Sequence, residues 1–238
     1  MQKVLIIIPA YNEEESLLDV VDGLKTLDIP NTKIDYMIIN DGSTDNTRNL
    51  CIENNLNFID LPCNLGIGGA VQTGYKYAYY NAYDIAIQFD GDNQHDASYI
   101  PNLIEELNKG NDLVFGSRFI KDVSTFKSSF LRRLGINILS FIIKVCTGFK
   151  VYDVTSGFRA VNRNLIEYFA RKYPSDYPEP DTLVQVLKMG YKVKEIPVKM
   201  RERKKGKSSI NGLKSVYFMI KVTLAIIIAD ISTKRVIK

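Results

Sequence analysis

At 238 residues, with 45% hydrophobic and 24% charged side chains, the chain has the size and composition of one sizeable α/β domain, alone or with a small appendage, and of a soluble globule. A single histidine, His95, excludes a His-rich metal site and argues against a Ser-His-Asp triad, while three cysteines (Cys51, Cys63, Cys146) without paired or metal-ligand spacing point to a reducing compartment. The net charge of +4 is unevenly placed: from Lys199 onward only Glu202 and Asp230 oppose a crowd of lysines and arginines, which suits nucleic acid, an anionic membrane surface or a phosphorylated substrate, unless it is a solvated basic tail.

The N-terminus has no basic leader and no small-residue cleavage site, so the apolar run Val4 to Ile8 reads as a strand buried on both faces of a parallel sheet rather than as a signal peptide. It ends in Pro9-Ala10-Tyr11-Asn12-Glu13. Asn12 is the expected N-cap of a helix with Glu13, Glu14 and Glu15 in its first turn and Leu17, Val20, Val21, Leu24 and Leu27 on its apolar face. A second strand, Asp35 to Ile39, runs into Asn40-Asp41-Gly42-Ser43-Thr44-Asp45, with Ser43 or Thr44 expected to cap a helix reaching Asn54. Asp41 reads equally as a ligand contact and as a turn residue. Asn57 to Asp60 is a short third strand. Asn64-Leu65-Gly66-Ile67-Gly68-Gly69-Ala70 then opens a helix carrying Val71, Gly74, Tyr75 and Ala78. Its glycines either cradle a phosphate or let the helix pack close to the sheet. Their spacing is not the dinucleotide fingerprint, and no acidic residue closes a second strand at the right distance, so a nicotinamide cofactor is rejected.

Ile85 to Phe89 suits a buried strand and leads directly into Asp90-Gly91-Asp92-Asn93-Gln94-His95-Asp96. Ligands of open α/β sheets sit just beyond the carboxyl ends of the strands. A carboxylate pair there can hold a hard divalent cation that also grips phosphate oxygens, or do acid/base work. An isolated Asp-x-Asp is more often a polar turn, so this assignment needs support from the rest of the chain. A helix from about Pro101 to Asn108 follows, with Leu103, Ile104 and Leu107 inward and Gly110 as its stop. The strand Asp112 to Phe115 ends in Gly116-Ser117-Arg118, where an arginine is placed to bind phosphate bidentately. The alternation of strand and helix predicts a doubly wound α/β sheet. No internal repeat interrupts it.

The second half differs. Phe130 to Phe149 carries a helical stripe of Leu131, Leu134, Ile138, Phe141, Ile142 and Val145, with Arg132, Arg133 and Lys144 off it. A core-facing helix is the simpler reading; a basic amphipathic helix lying on a membrane is the functional one. Asp153-Val154-Thr155-Ser156-Gly157-Phe158-Arg159 reads as a polar loop with a buried aromatic. Pro178-Glu179-Pro180-Asp181 precedes a helix (Leu183, Val184, Val186, Leu187) stopped at Gly190, and Val193 to Val198 is a last strand. Arg203-Lys204-Lys205-Gly206-Lys207-Ser208-Ser209 is a basic, Gly-hinged loop suited to closing over phosphate. Val216 to Ile231 is apolar around most of its circumference but shorter than the ~20 residues a spanning helix needs. It reads as an interfacial helix, as one docking on a membrane partner, or as one packed on the domain.

Taken in order, Pro9 to Glu13, Asp41 to Asp45, Asn64 to Ala70, Asp90-Gly91-Asp92 with Gln94-His95, Gly116-Ser117-Arg118, Ser156 to Arg159, and Arg203 with Gly206 and Ser208 resemble the motifs of family-2 glycosyltransferases of the GT-A fold. The likeness is greatest to the polyprenyl-phosphate (dolichyl-phosphate) hexose synthases and covers Val4 to about Gly212. It implies a mixed, doubly wound α/β sheet with helices on both faces, a catalytic domain at 1–212 and a membrane- or partner-associating helix at 213–238. It also implies roles. Pro9, Tyr11, Glu13 and Asp41 surround the nucleoside; Asp90, Asp92 and Gln94 hold Mg2+ or Mn2+ and the donor diphosphate. Arg118 faces the phosphates or the acceptor, Asp153 lies near the acceptor phosphate, and Arg203 and Ser208 close over the diphosphate.

The implied reaction is inverting transfer of a hexose or N-acetylhexosamine from a nucleotide-diphosphate sugar to a polyprenyl phosphate, which Arg118, Arg132 and Arg133 would hold. The alternative acceptor is a polysaccharide hydroxyl, with Asp153 or Glu179 as base. The chain departs from the family at Asn40, often Asp, at Ser209, commonly basic, and in lacking a multi-helix anchor. The expected setting is cytoplasmic and peripheral on the inner face of the cell membrane, against lipid or a small membrane subunit. A homo-oligomer is allowed, and nucleic acid is not an expected partner.

Overall fold

A computed structural model describes residues 1–120, 130–201 and 213–233. The elements in order are β1 (Gln2–Ala10), α1 (Leu17–Lys25), β2 (Thr32–Asn40), α2 (Thr47–Glu53), β3 (Phe58–Asp60), α3 (Gly66–Tyr80), β4 (Ile85–Gln88), α4 (Ile100–Asn108), β5 (Leu113–Ser117), α5 (Phe130–Thr147), β6 (Arg159–Asn162), α6 (Arg163–Arg171), α7 (Pro178–Lys188), β7 (Val193–Pro197) and α8 (Leu213–Ser232).

The run Val4 to Ile8 places alternate side chains on opposite faces of β1, and both faces are covered. Leu5 and Ile7 enter a core with α3, α5, α6, α7 and α8; Val4, Ile6 and Ile8 enter a second core with α1 and α4. The sheet has seven strands in the order β3-β2-β1-β4-β6-β5-β7. β1 pairs in parallel with both β2 and β4, so the chain leaves β1 in both directions. The crevice at such a switch point is where doubly wound sheets bind ligands. β6 runs antiparallel between β4 and β5, which makes the sheet mixed.

Several local expectations change. Asn12 does not cap α1, which begins at Leu17 after Ser16. Asn12 instead takes a left-handed φ of 58°, and its side-chain oxygen accepts the Thr44 N–H at 2.8 Å and the Asp45 N–H at 3.3 Å, tying the loop after β1 to the loop after β2. Ser43 does not cap α2. Its hydroxyl donates to Asn40 Oδ1 and accepts the Asn12 N–H, while Asp45 accepts the N–H of Thr47, the first residue of α2. The polar loop at 153–159 gives way at Arg159 to β6, and α6 follows, capped by the Asn162 side chain on the Leu165 N–H.

The α5 stripe also differs from its simpler reading. Leu134, Ile138, Phe141 and Val145 are exposed, and the opposite side, Ile136, Leu139 and Ile143, enters the core. α8 repeats the pattern: Val222, Ile226 and Ala229 are buried, so this helix is packed on the domain and shares its core. Among the described residues no helix is long and apolar enough to cross a membrane.

Candidate active site

Loops after β1, β2 and β4 and the start of α3 enclose a cleft of about 880 Å³ lined by Pro9, Tyr11, Glu13, Asp41, Asn64, Gly66, Asp90 and Asp92, among others. The carboxylates of the β4 loop therefore share one cavity with the residues expected around a nucleoside. Tyr11 is 47% exposed at the mouth. Asp41 is buried, its N–H donating to the Ala10 carbonyl and its carboxylate accepting the Leu65 N–H at 2.7 Å, so it braces the start of α3 from within the cleft wall. Ser16 joins the first and third loops: its hydroxyl lies 2.8 Å from both Glu13 Oε2 and the Gly91 carbonyl oxygen and shares its one proton between them. The glycines of α3 serve packing: a Cβ on Gly68 would stand 2.0 Å from the Pro174 carbonyl oxygen, and one on Gly74 would stand 2.2 Å from Ile7. Gly66 remains on the cleft wall.

Asp90 is held from several sides. Gln88 Nε2 donates to its Oδ1 at 3.3 Å, and Nε2 of His95 lies 3.5 Å from its Oδ2. His95 Nδ1 accepts the Asp90 backbone N–H at 3.1 Å, which places the proton of a neutral ring on Nε2, facing the carboxylate. The ring stacks on Phe158 at 4.9 Å and meets Phe89 edge-on at 5.3 Å. Burial pushes its pKa down to about 4, a shift the negative charge of Asp92 only partly offsets, so it is neutral at pH 7. Gly157 closes the far side: a Cβ there would sit 2.9 Å from Asp90 Oδ2. Glu179 hydrogen-bonds the same Gln88; burial raises its pKa, nearby Arg159 opposes the rise, and the charge of Asp90 adds to it.

Asp92 Oδ1 accepts the Gln94 N–H at 3.0 Å, and the turn passes through Asn93 at φ 59°. Gln94 is not among the residues lining the cleft; its carbonyl accepts the Arg201 N–H at 2.9 Å. Arg201 also donates to Asn93 Oδ1 at 3.2 Å and faces Asp96 at 3.5 Å, a set of contacts the sequence reading missed. Among the described residues no three His, Cys, Asp or Glu side chains group as a metal site. Asp90 and Asp92 nonetheless fit a hard divalent ion, because Mg2+-type sites take one or two carboxylates and complete their shell with phosphate oxygens and water.

Arg118 and Asp153 pair bidentately, Nε–Oδ2 and Nη2–Oδ1 both at 2.7 Å, and the Arg118 backbone N–H adds a third bond at 3.0 Å. Asp153 is fully buried. Both its oxygens are engaged with Arg118, and it orients that guanidinium. Burial opposes the charge on Arg118, and the hydrogen bonds to Asp153 outweigh it and keep the group protonated. Glu195 of β7, unnoticed in the sequence, supports the loop by accepting the Tyr152 and Asp153 N–H groups. The Phe119 ring meets two cations, Arg118 at 5.3 Å and Arg133 at 4.5 Å from its centre. Arg159 of the Ser-Gly-Phe-Arg motif is a buried clamp, donating to the carbonyls of Ser156 and Glu179. Arg203 and Ser208 lie outside the described residues, as does the expected basic loop around them.

Comparison with known proteins agrees with this architecture. Residues 5–169 match glycosyl transferase family 2. A UDP-N-acetylglucosamine–dolichyl-phosphate N-acetylglucosaminyltransferase of Methanococcus voltae is 32% identical over 217 residues, covering 82% of this chain and 84% of the relative. A polyprenol monophosphomannose synthase of Mycolicibacterium smegmatis is 26% identical over 231 residues, covering 93% and 86%. Among solved structures, glucosyl-3-phosphoglycerate synthase of Mycobacterium tuberculosis with Mg2+ and uridine diphosphate superposes with a TM-score of 0.73 at 19% identity, covering 98% of this chain and 80% of that one, a likeness of fold. The fold is that of the GT-A glycosyltransferases. The chain belongs to glycosyl transferase family 2.

Proposed function

We propose that the protein transfers a hexosyl or N-acetylhexosaminyl group from a nucleoside diphosphate sugar to a polyprenyl phosphate, with inversion at C1. The observation that carries the reading is that Asp90 and Asp92 open into the same cleft as Tyr11, Glu13 and Asp41. The activities for which the Methanococcus voltae and Mycolicibacterium smegmatis relatives are named support the acceptor class.

The nucleoside would lie against Pro9, Tyr11 and Asp41, with its diphosphate running toward Asp90 and Asp92. Those two carboxylates, with Gln94 assigned by resemblance, would hold Mg2+ or Mn2+, which neutralises charge on the leaving diphosphate. A phosphate oxygen of the acceptor attacks C1, the bond from C1 to the diphosphate oxygen breaks, and the nucleoside diphosphate leaves. Because a phosphate monoester is already an oxyanion, this step needs little help from a base. Arg118, fixed by Asp153, and Arg133 across Phe119 provide two guanidinium groups suited to an acceptor phosphate. Arg203 and Ser208 are assigned to the donor diphosphate.

The test is a panel of UDP- and GDP-sugars with undecaprenyl phosphate and Mn2+, read by product mass. The reading expects a lipid-phosphate-linked monosaccharide. Sugar added only to a polysaccharide would overturn the acceptor, and donor binding without turnover in any combination would overturn the enzyme.

A further inference from the structure

α5 and α8 pack against each other and against α7 on one face of the sheet, in contact where a Cβ on Gly135 would stand 2.9 Å from the Met219 sulfur. Each helix has two apolar sides. The inner ones, Ile136, Leu139 and Ile143 on α5 and Val222, Ile226 and Ala229 on α8, belong to the core. The outer ones repeat at helical spacing and face away from it: Leu134, Ile138, Phe141 and Val145 on α5, and Ile220, Leu224, Ile227, Ile228 and Ile231 on α8. Phe141 is 67% exposed and Ile231 80%. Nine large apolar side chains exposed on two helices that touch are more than the singly scattered hydrophobics that need no explanation on a monomer surface.

We propose that α5 and α8 together form a docking face for an anionic lipid bilayer, lying in the interface without crossing it. Charge selects this occupant. α5 has no acidic residue, and the one acid of α8, Asp230, is paired with Lys188 at 2.8 Å. Exposed cations border the apolar stripe of α5: Arg133 near its start, Lys144 on its flank and Lys150 beyond its end. Among the described residues the acids beside α8, Asp230 and Asp176, are each already paired with a lysine, Lys188 and Lys221, so a second copy docked by the same face would bring the α5 cations together, whereas anionic headgroups meet them and acyl chains meet the stripes. Arg133 also touches Phe119 beside Arg118, so the face ends at the guanidinium pair assigned to the acceptor phosphate, and a lipid-borne phosphate would reach the site from the surface on which the protein rests.

The inference deepens the acceptor assignment, and its test separates the two. Flotation of the full chain with phosphatidylcholine vesicles, with and without phosphatidylglycerol, reads docking with no acceptor present. Turnover on a short-chain, water-soluble prenyl phosphate reads the chemistry with no bilayer present. Deleting α8 would strip the core, so the variants are Phe141→Glu and Ile228→Glu, on exposed positions. The wild type is expected to float with the phosphatidylglycerol vesicles. Each variant is expected to lose about tenfold or more in partition, as removal of one buried large apolar side chain requires. Each should retain its melting temperature and short-chain turnover and lose turnover on undecaprenyl phosphate in vesicles. Wild-type protein that stays down with both vesicle types overturns the proposal. So does a wild-type dimer, seen by light scattering, that the same substitutions dissociate while vesicle binding is absent.

Discussion

Gly157 and Asp90 are in contact although 67 positions apart in sequence, because β6 returns antiparallel beside β4 and brings the loop before it over the carboxylate. Any side chain at 157 must push Asp90 aside. Gly157→Ala is expected to lower kcat/KM by about 10- to 100-fold, the scale of a misplacement near 1 Å at a reacting centre. The global fold should remain, so the measurement is steady-state kinetics beside a melting curve; unchanged kinetics would free Asp90 from this constraint. His95 makes a second prediction. Its folded-state pKa of about 4 lies below the ~6.5 of an unfolded chain, so below pH 6.5 the unfolded state binds more protons. The corresponding stability is complete above that pH and is lost as pH falls toward 4, amounting to about 2 kcal/mol between about pH 6.5 and 5. Urea unfolding across that range should show the slope in wild type and lose it in His95→Asn, which cannot titrate. Asp90 and Asp92 were legible in the sequence because a buried strand runs straight into them. The support from Gly157 was not, since it depends on the pairing of strands far apart in the chain, and His95, though only five positions from Asp90, is fixed by stacking on Phe158, which the same pairing brings in.

The elements that sequence reveals here are those whose burial has a simple period. β1 carries an unbroken apolar run from Val4 to Ile8, β4 is apolar from Ile85 to Ile87, and α4 shows one inward face, Leu103, Ile104 and Leu107. β6 escapes such a reading because it has four residues, Arg-Ala-Val-Asn, and starts at a charged one that turns out to be a buried clamp. α5 is ambiguous for a different reason: with apolar side chains on two opposite sides, periodicity finds a helix and cannot say which side faces the core. For α3, the sequence left the glycines open between holding phosphate and close packing, and Gly68 packs against backbone. Gly68→Ala is therefore expected to destabilise the protein by about 1–3 kcal/mol, the usual cost of overpacking a site that cannot give way. Because Gly66, Ile67 and Ala70 of the same helix line the cleft, the KM for the donor should rise as well. Denaturant titration and donor saturation curves measure the two effects. A stable variant with normal KM would show that the segment at 174–175 moves freely away.

At the scale of the whole molecule, the cleft is a junction. It joins loops from three neighbouring strands and the start of α3, and these elements contribute to both cores. A ligand that bridges them binds the folded chain and not the unfolded one, and so raises stability by RT ln(1 + [L]/Kd), about 2.7 kcal/mol at a hundredfold excess over Kd. For a chain of this length that corresponds to roughly 5–10 °C in melting temperature. If Asp90 and Asp92 hold a cation that joins the protein to a nucleoside diphosphate, UDP or GDP with Mn2+ should produce this shift, and the same nucleotide with EDTA should produce little of it. Asp92→Asn should melt near wild type without ligand, since the half-buried loop position lies outside both hydrophobic cores and the amide oxygen can still accept the Gln94 N–H, yet lose the metal-dependent increment and donor turnover together. The pairing of those two losses is the informative result. Lost turnover with an intact metal-dependent shift would place Asp92 in the chemistry rather than in the cation site. An intact shift with intact turnover would remove the carboxylate pair from the mechanism.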